Sequence, residues 1–220
     1  MMFQENIESF GVLLKGRSLS HLPRYAHKFN DCFIVNDFKE EIESFGDCIQ
    51  GKNISHFVNK SKHARLHVKQ YNSLNIDKIQ AYQVFNILNL GHLVMWIRYK
   101  MIKKELRWLP ERLLAFNKSF GPEFQRKFPN TGLLSIIYTL EIIKPQELWV
   151  LGLDFYKADY LFRREYHETL TPQINKFDQL GLVDFMANIF ALYPETHINL
   201  VTVYKEFPDV KNVKKIIVDC

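Results

Sequence analysis

The chain has 220 residues, 47% of them hydrophobic and 24% charged, a balance that excludes a disordered tail, a collagen-like fibre and a disulfide-stapled miniprotein. At this length one core removes roughly 70% or more of the unfolded surface from water, so a single domain over the whole chain needs no structural metal. The formal charge of +5, from 29 basic and 24 acidic residues, demands no polyanionic partner; with no zinc-finger spacing, RNP-type strand or long basic run, nucleic acid is not an expected partner, whereas an anionic small ligand or a membrane surface fits.

The first clear strand is the apolar run Phe10, Gly11, Val12, Leu13 and Leu14, which ends in the polar turn Lys15, Gly16, Arg17, Ser18. Short β-branched or aromatic runs follow at 32–35, 54–58, 63–68, 148–151 and 198–203. Each is too short for a typical helix, and several close on Asn, Asp or Gly, which favours buried strands. The strongest helical pattern covers 130–143, where Asn130 can cap and Pro145 stops the run; a second covers 182–192 and ends before Pro194. Strands alternating with helices predict an α/β fold with a mostly parallel sheet. The stretch 77–128 mixes aromatic residues with Arg98, Lys100, Lys103, Lys104, Arg107 and Arg112 and reads as a helical insertion beside that sheet. Cys32, Cys48 and Cys220 form neither a CxxC pair nor an even set, which suggests thiols in a reducing compartment. The opening residues lack the basic start and apolar middle of a secretory signal, and no run reaches the roughly 20 apolar residues that cross a bilayer. A soluble, cytoplasmic protein is therefore expected, with peripheral membrane association left open.

In open α/β sheets ligands sit beyond the carboxyl ends of the strands, which directs attention to the polar residues that follow each apolar run. Gly16, Arg17 and Ser18 follow the first; Asn36 and Asp37 follow the second; Asn59, Lys60 and Ser61 follow the third. A flexible backbone with hydroxyls suits phosphate or ribose, and side-chain amides suit the edges of a base. Asn130, Thr131 and Gly132 open the apolar helix, and the strand after it ends in Gly152, Leu153, Asp154, Phe155, Tyr156 and then Tyr160. His63 and His67 stand four apart without the glutamate of a zinc-protease helix, and His56 falls inside a strand.

This order resembles the sialyltransferases of glycosyltransferase family 42, which cap bacterial lipooligosaccharide. The run NTGLLSIIYTLE at 130–141 is also similar to the small sialyl motif of the animal family 29. The likeness covers about residues 10–60 and 128–160, and it departs from the family pattern at Lys15 and Arg17, where asparagine and proline are usual. It implies a single Rossmann-like α/β/α sandwich of the sialyltransferase GT-A variant, with a lid-like segment at 155–180. By the same resemblance Gly16, Arg17, Ser18, Asn36 and Asn59 would contact the cytidine monophosphate of a CMP-sugar donor. Asn130, Thr131, Gly132 and Asp154 would complete that site, with Thr131 and Gly132 at the ribose and phosphate. Tyr156 and Tyr160 would donate to the departing phosphate in place of a metal, so neither a metal nor a further cofactor is expected. His167 is the expected base toward a glycan or glycolipid acceptor, since an imidazole suits proton removal at neutral pH, with Glu165 or Glu168 able to orient or replace it. Two other readings stay open: a non-catalytic nucleotide-binding or interaction protein of the same fold, and a phosphotransferase gathering magnesium on Asp37, Asp154 and Asp159. A homo-oligomer is compatible with either.

Overall fold

Val12, Phe33, Val35 and Val150 face one side of the sheet, while Leu13, Ile34, Trp149 and Leu151 face the other. A strand alternates its side chains, so a segment apolar at every position must be covered on both faces. The computed structural model describes residues 7–35, 38–58, 78–83, 106–108, 131–158, 160–162 and 181–219. Its strands are β1 (Ser9–Leu13), β2 (Asp31–Val35), β3 (Asn53–Val58), β4 (Lys78–Gln83), β5 (Leu106–Trp108), β6 (Glu147–Leu151), β7 (His197–Thr202) and β8 (Val213–Ile217). They form one eight-stranded sheet in the order β5-β4-β3-β2-β1-β6-β7-β8, and every neighbouring pair is parallel.

The helices are α1 (Leu22–Tyr25), α2 (Lys39–Ile49), α3 (Thr131–Tyr138) and α4 (Leu182–Ala191). α3 and α4 pack with Phe10, Phe33 and Leu200 on one face; Leu22, Tyr25 and Ile49 of α1 and α2 pack with Leu13 and Ile34 on the other. The result is a three-layer α/β/α sandwich of Rossmann-like topology. α3 widens into a π-helical turn over Thr139–Ile143 and ends at Lys144 in the left-handed region, φ 52°. Pro145 follows, as expected for a residue that cannot continue a helix. No helix among the described residues is long and apolar enough to cross a membrane.

Five of the six expected strands, and both expected helices, appear within a residue or two of their predicted bounds; the sixth, at 63–68, lies outside the described residues. The stretch 77–128 requires a correction. Its two described pieces are β4 and β5, and they extend the sheet edge beyond β3, so the segment is not a wholly helical side layer. α2 and β8 also went unread. α2 carries Glu40 and Glu41 in its first turn, where they complement the helix dipole, and its apolar positions Ile42, Phe45 and Ile49 keep helical spacing. In β8 the pattern is diluted by Lys214 and Lys215, the charge that protects an edge strand from further pairing.

Phe33 links three elements: its ring lies 4.9 Å from Phe10, 5.3 Å from Phe57 and 6.0 Å from Tyr138, each edge to face. Truncating so well-contacted a ring removes both transfer energy and packing. Phe33→Ala is expected to lower the unfolding free energy by about 3–5 kcal/mol, measured by urea titration.

Candidate functional site

β1 has β2 on one side and β6 on the other. The chain winds outward from β1 to β5 and then returns to add β6, so the connections after β1 and β6 part company above the sheet. Such a switch point leaves a crevice at the carboxyl edge. The connection after β1 closes on the α1 side through Leu19 and Leu22, and the one after β6 leads to α4 on the opposite face.

Two glycines let the loops meet. Gly16 N donates to Gly152 O at 3.0 Å, and Leu14 N to Leu151 O at 2.8 Å. Gly152 has φ +81°, and a Cβ on it would lie 2.6 Å from the Leu14 carbonyl; a Cβ on Gly16 would strike the Asp154 carboxylate. Only glycine permits both the left-handed backbone and that approach.

Asp154 is 3% exposed and ties three strand ends together. Its Oδ2 accepts from Ser18 N at 2.9 Å. Its Oδ1 accepts from Val203 N at 3.1 Å and lies 3.1 Å from the Thr202 hydroxyl. Ser18, fully buried, completes the knot by accepting from Gly152 N at 2.9 Å through its Oγ. Thr202 Oγ1 is also 2.9 Å from Leu153 O and accepts from Tyr204 N at 3.1 Å. Both carboxylate oxygens are thus engaged by protein donors.

After Asp154 the backbone turns sharply. Lys157 N donates to Asp154 O at 2.8 Å, and the two intervening residues, Phe155 and Tyr156, have φ of 52° and 57°. Positive φ at both central positions is the mark of a type I′ turn, which asparagine and glycine usually occupy. For two aromatic residues it stores about 1–3 kcal/mol each. The buried Phe155 ring holds the turn down, stacked on Phe207 at 5.2 Å and 23°. Tyr156 is thereby presented toward Tyr160, their rings edge to face at 6.2 Å. Tyr160 bridges back to Gly16.

A cleft of about 100 Å³ lies among these parts, bordered by Gly16, Thr131, Gly132, Asp154, Tyr156 and Tyr160. Thr131 and Gly132, at the described start of α3, form part of its wall, and the dipole at a helix start favours an anion. The Tyr160 phenol is pushed well above its ordinary pKa by burial first, then by the neighbouring Tyr156 and a hydrogen bond between the two hydroxyls. It stays a neutral donor at any physiological pH. The described part of the cleft is smaller than the roughly 300–1,000 Å³ that encloses a whole ligand, and its size suits one polar end of a larger molecule.

Six of the twelve expected site residues, those six, therefore share one cleft. Ser18 lies beneath it, spent on holding the loop, and Arg17 is half-buried beside it without lining it. Asn36, Asn59, Asn130 and His167 lie outside the described residues, as do Asp37, Asp159, His63 and His67. His56 is fully buried in β3, the strand in which its sequence position places it. Lys15 and its partner Glu41 were not singled out together: Lys15 Nζ is 3.3 Å from Glu41 Oε1, and the Glu41 side chain is 1% exposed. No spacing rule links β1 to α2, so the pair was invisible in the sequence. The chain matches no protein-family model, no curated protein and no solved structure. The fold and cleft define it as a doubly wound parallel α/β protein with a cleft at the switch point of its sheet.

Burial raises the Glu41 pKa, and Lys15 only partly offsets that. Below the ordinary glutamate value both states are protonated. As pH rises the unfolded chain releases its proton first, so the native state binds more protons and stability falls until the folded pKa is passed. Glu41→Gln is expected to flatten that fall in urea titrations at successive pH values, and an unchanged slope would assign it elsewhere. Asp154→Ala strands the buried donors Ser18 N and Val203 N and is expected to cost about 3 kcal/mol or more.

Proposed function

We propose that the protein is a glycosyltransferase of the sialyltransferase type, which moves sialic acid or a related keto sugar from a CMP-activated donor to a glycan hydroxyl. The observation that supports this reading most is the convergence of the Gly16 loop, the start of α3 and the Tyr156–Tyr160 pair on one cleft. These are the parts that the likeness to family 42 assigns to the donor's phosphate end, and they come from three separate stretches of sequence.

The chemistry asks little of the protein beyond positioning and charge stabilisation. The bond between the anomeric carbon and the phosphate oxygen breaks, its electron pair staying with the phosphate, while a bond forms from the acceptor oxygen to that carbon. One displacement of this kind inverts the configuration. Charge grows on the departing phosphate, where the backbone N–H groups of Thr131 and Gly132 and the neutral phenols would stabilise it. The raised pKa of Tyr160 suits a hydrogen-bond donor and opposes a role as phenolate. In this scheme the donor is a substrate, the phenols do the work often given to a divalent metal, and the acceptor's proton passes to His167, with Glu165 or Glu168 as the alternative base. A glycolipid acceptor would bring the protein to a membrane surface from the cytoplasm. Of the three carboxylates that a magnesium-dependent phosphotransferase would gather, Asp154 has both oxygens engaged, which favours transfer over that alternative.

The first test is thermal unfolding with CMP, UDP, GDP and ADP, each with EDTA and then with magnesium. A ligand at 100 times its Kd adds about 2.7 kcal/mol. Stabilisation by CMP in EDTA is the expected outcome; a shift only with magnesium and another nucleotide would remove the CMP-sugar assignment. With transfer activity in hand, Tyr156→Phe and Tyr160→Phe are each expected to lower kcat by about 2–4 kcal/mol of barrier, with a smaller change in KM.

A further inference from the structure

Among the described residues that border the cleft, Lys15 alone carries a positive charge. Its backbone is held in place, because Lys15 O accepts from Leu161 N at 3.0 Å, one residue beyond Tyr160. Its ammonium lies 3.3 Å from Glu41 Oε1, and the two side chains are 16% and 1% exposed. A flexible four-carbon stem on a fixed backbone lets a lysine turn from one anion to another within its reach.

Glu41 is thinly compensated for a buried carboxylate. Its Oε2 has no hydrogen-bond partner among the described residues. The separation from Lys15 also exceeds the roughly 2.7–2.9 Å of a strong charge-assisted bond. An ion so placed is costly to keep charged, and a proton on the carboxylate removes that cost. Burial opposes its charge most, Lys15 and the backbone N–H of Glu41 itself favour it, and Glu40 opposes it. Of the charged groups on α1 and the turn after it, Arg24 lies over the Tyr25 ring, and His27 and Lys28 border a cavity at the amino ends of the strands. The segment 160–162 packs on α2 through Phe162 and Phe45, their ring centres 6.0 Å apart, and brings no charge.

We infer that an anion entering the cleft is held by Lys15 in exchange for Glu41, and that Glu41 takes up a proton from solvent as its ion pair opens. The charges balance: the ammonium passes from the carboxylate to the ligand, and the carboxylate becomes a neutral acid with one proton drawn from water. Proton uptake and anion affinity are then linked, each raising the other by the same factor. The inference rests on the part of the reading above that puts an anion in the cleft, and it does not require that anion to be CMP. It makes binding favour low pH and release favour high pH, with the control placed on α2.

The test is NMR of the full chain labelled at its glutamate carboxyl carbons, titrated in pH alone, with CMP, and with sulfate, which keeps its charge throughout. The Glu41 signal is the one lost in Glu41→Gln. Its titration midpoint is expected to rise by about one unit or more with either anion, a coupling of about tenfold in affinity. Lys15→Gln is expected to weaken both anions about tenfold and to leave the Glu41 midpoint the same with and without them. Glu41→Gln keeps the shape of the side chain and removes its titration, so sulfate affinity is expected to become independent of pH. An unmoved midpoint on binding of either anion, a pH-dependent sulfate affinity in Glu41→Gln, or binding of neither anion overturns the inference. Sulfate binding that moves the midpoint in a protein that ignores CMP supports the inference and removes the CMP donor. CMP binding with an unmoved midpoint keeps the donor and removes the inference.

Discussion

One buried carboxylate organises the functional end of this molecule. Asp154 has water access almost nowhere, and an ion so placed is tolerable only when its lone pairs are met by donors. The donors come from the loop after β1 and from the end of β7, while the aspartate itself follows β6. A parallel sheet sets only the spacing of its strands; it does not fix how the loops beyond them lie. Here the electrostatic cost of an unpaired Asp154 fixes it. Ser18 strengthens the constraint by returning a hydrogen bond to Gly152, so the loops after β1 and β6 are joined by two side chains as well as by backbone pairing.

That knot explains how a strained turn survives next to it. Phe155 and Tyr156 occupy a conformation that local preference gives to asparagine and glycine. The cost is offset on one side by the bonds that hold Asp154 and on the other by burial of Phe155 against Phe207 and Tyr204. Phe207 lies on the connection from β7 to β8, whose path is fixed in turn by Lys215, donating to Phe207 O at 2.8 Å and paired with Asp209 at 2.6 Å. A lysine on the edge strand thus supports an aromatic plug, the plug supports the turn, and the turn aims a phenol. The sequence of dependence runs from β8 inward to the cleft.

The central strands and both apolar helices were legible because burial on two faces leaves a continuous apolar run, and proline marks where a helix must stop. The same logic hides elements at the edge. β8, at one edge, carries two lysines within five residues, and β4, one strand in from the other edge, begins on a lysine and includes two glutamines; such polar strands lack the continuous apolar run that marks a buried one, and β4 is absorbed into a stretch that reads as helical. At the site, Gly16 and the tyrosines were readable because they follow apolar strands at the ends where ligands collect, and Thr131 and Gly132 because they open an apolar helix. The partners that position them were not. Thr202 and Val203 lie about fifty residues from Asp154 and Ser18 about 135, and such pairings are set by strand order, which single-sequence spacing does not encode. Lys15 with Glu41 is the same case across the sheet's other face.

The charge balance at the cleft follows from these placements. Asp154 is negative, yet its charge is directed into backbone N–H groups and a hydroxyl, so little of it faces the cavity. Across from it stand the start of α3 and two phenols, Tyr156 and Tyr160, of which burial keeps Tyr160 protonated. Lys15, at the end of β1, is neutralised by Glu41 in part only, since burial works against ionisation of that glutamate. The positive contributions are therefore the Lys15 ammonium, which lines the cleft, together with fixed dipoles, and the one carboxylate in the wall is already satisfied. A fixed dipolar site of this kind needs no reorganisation when charge appears on a ligand. Neutral donors act in proportion to the charge that develops, which is what the transfer proposed above would ask of the two phenols.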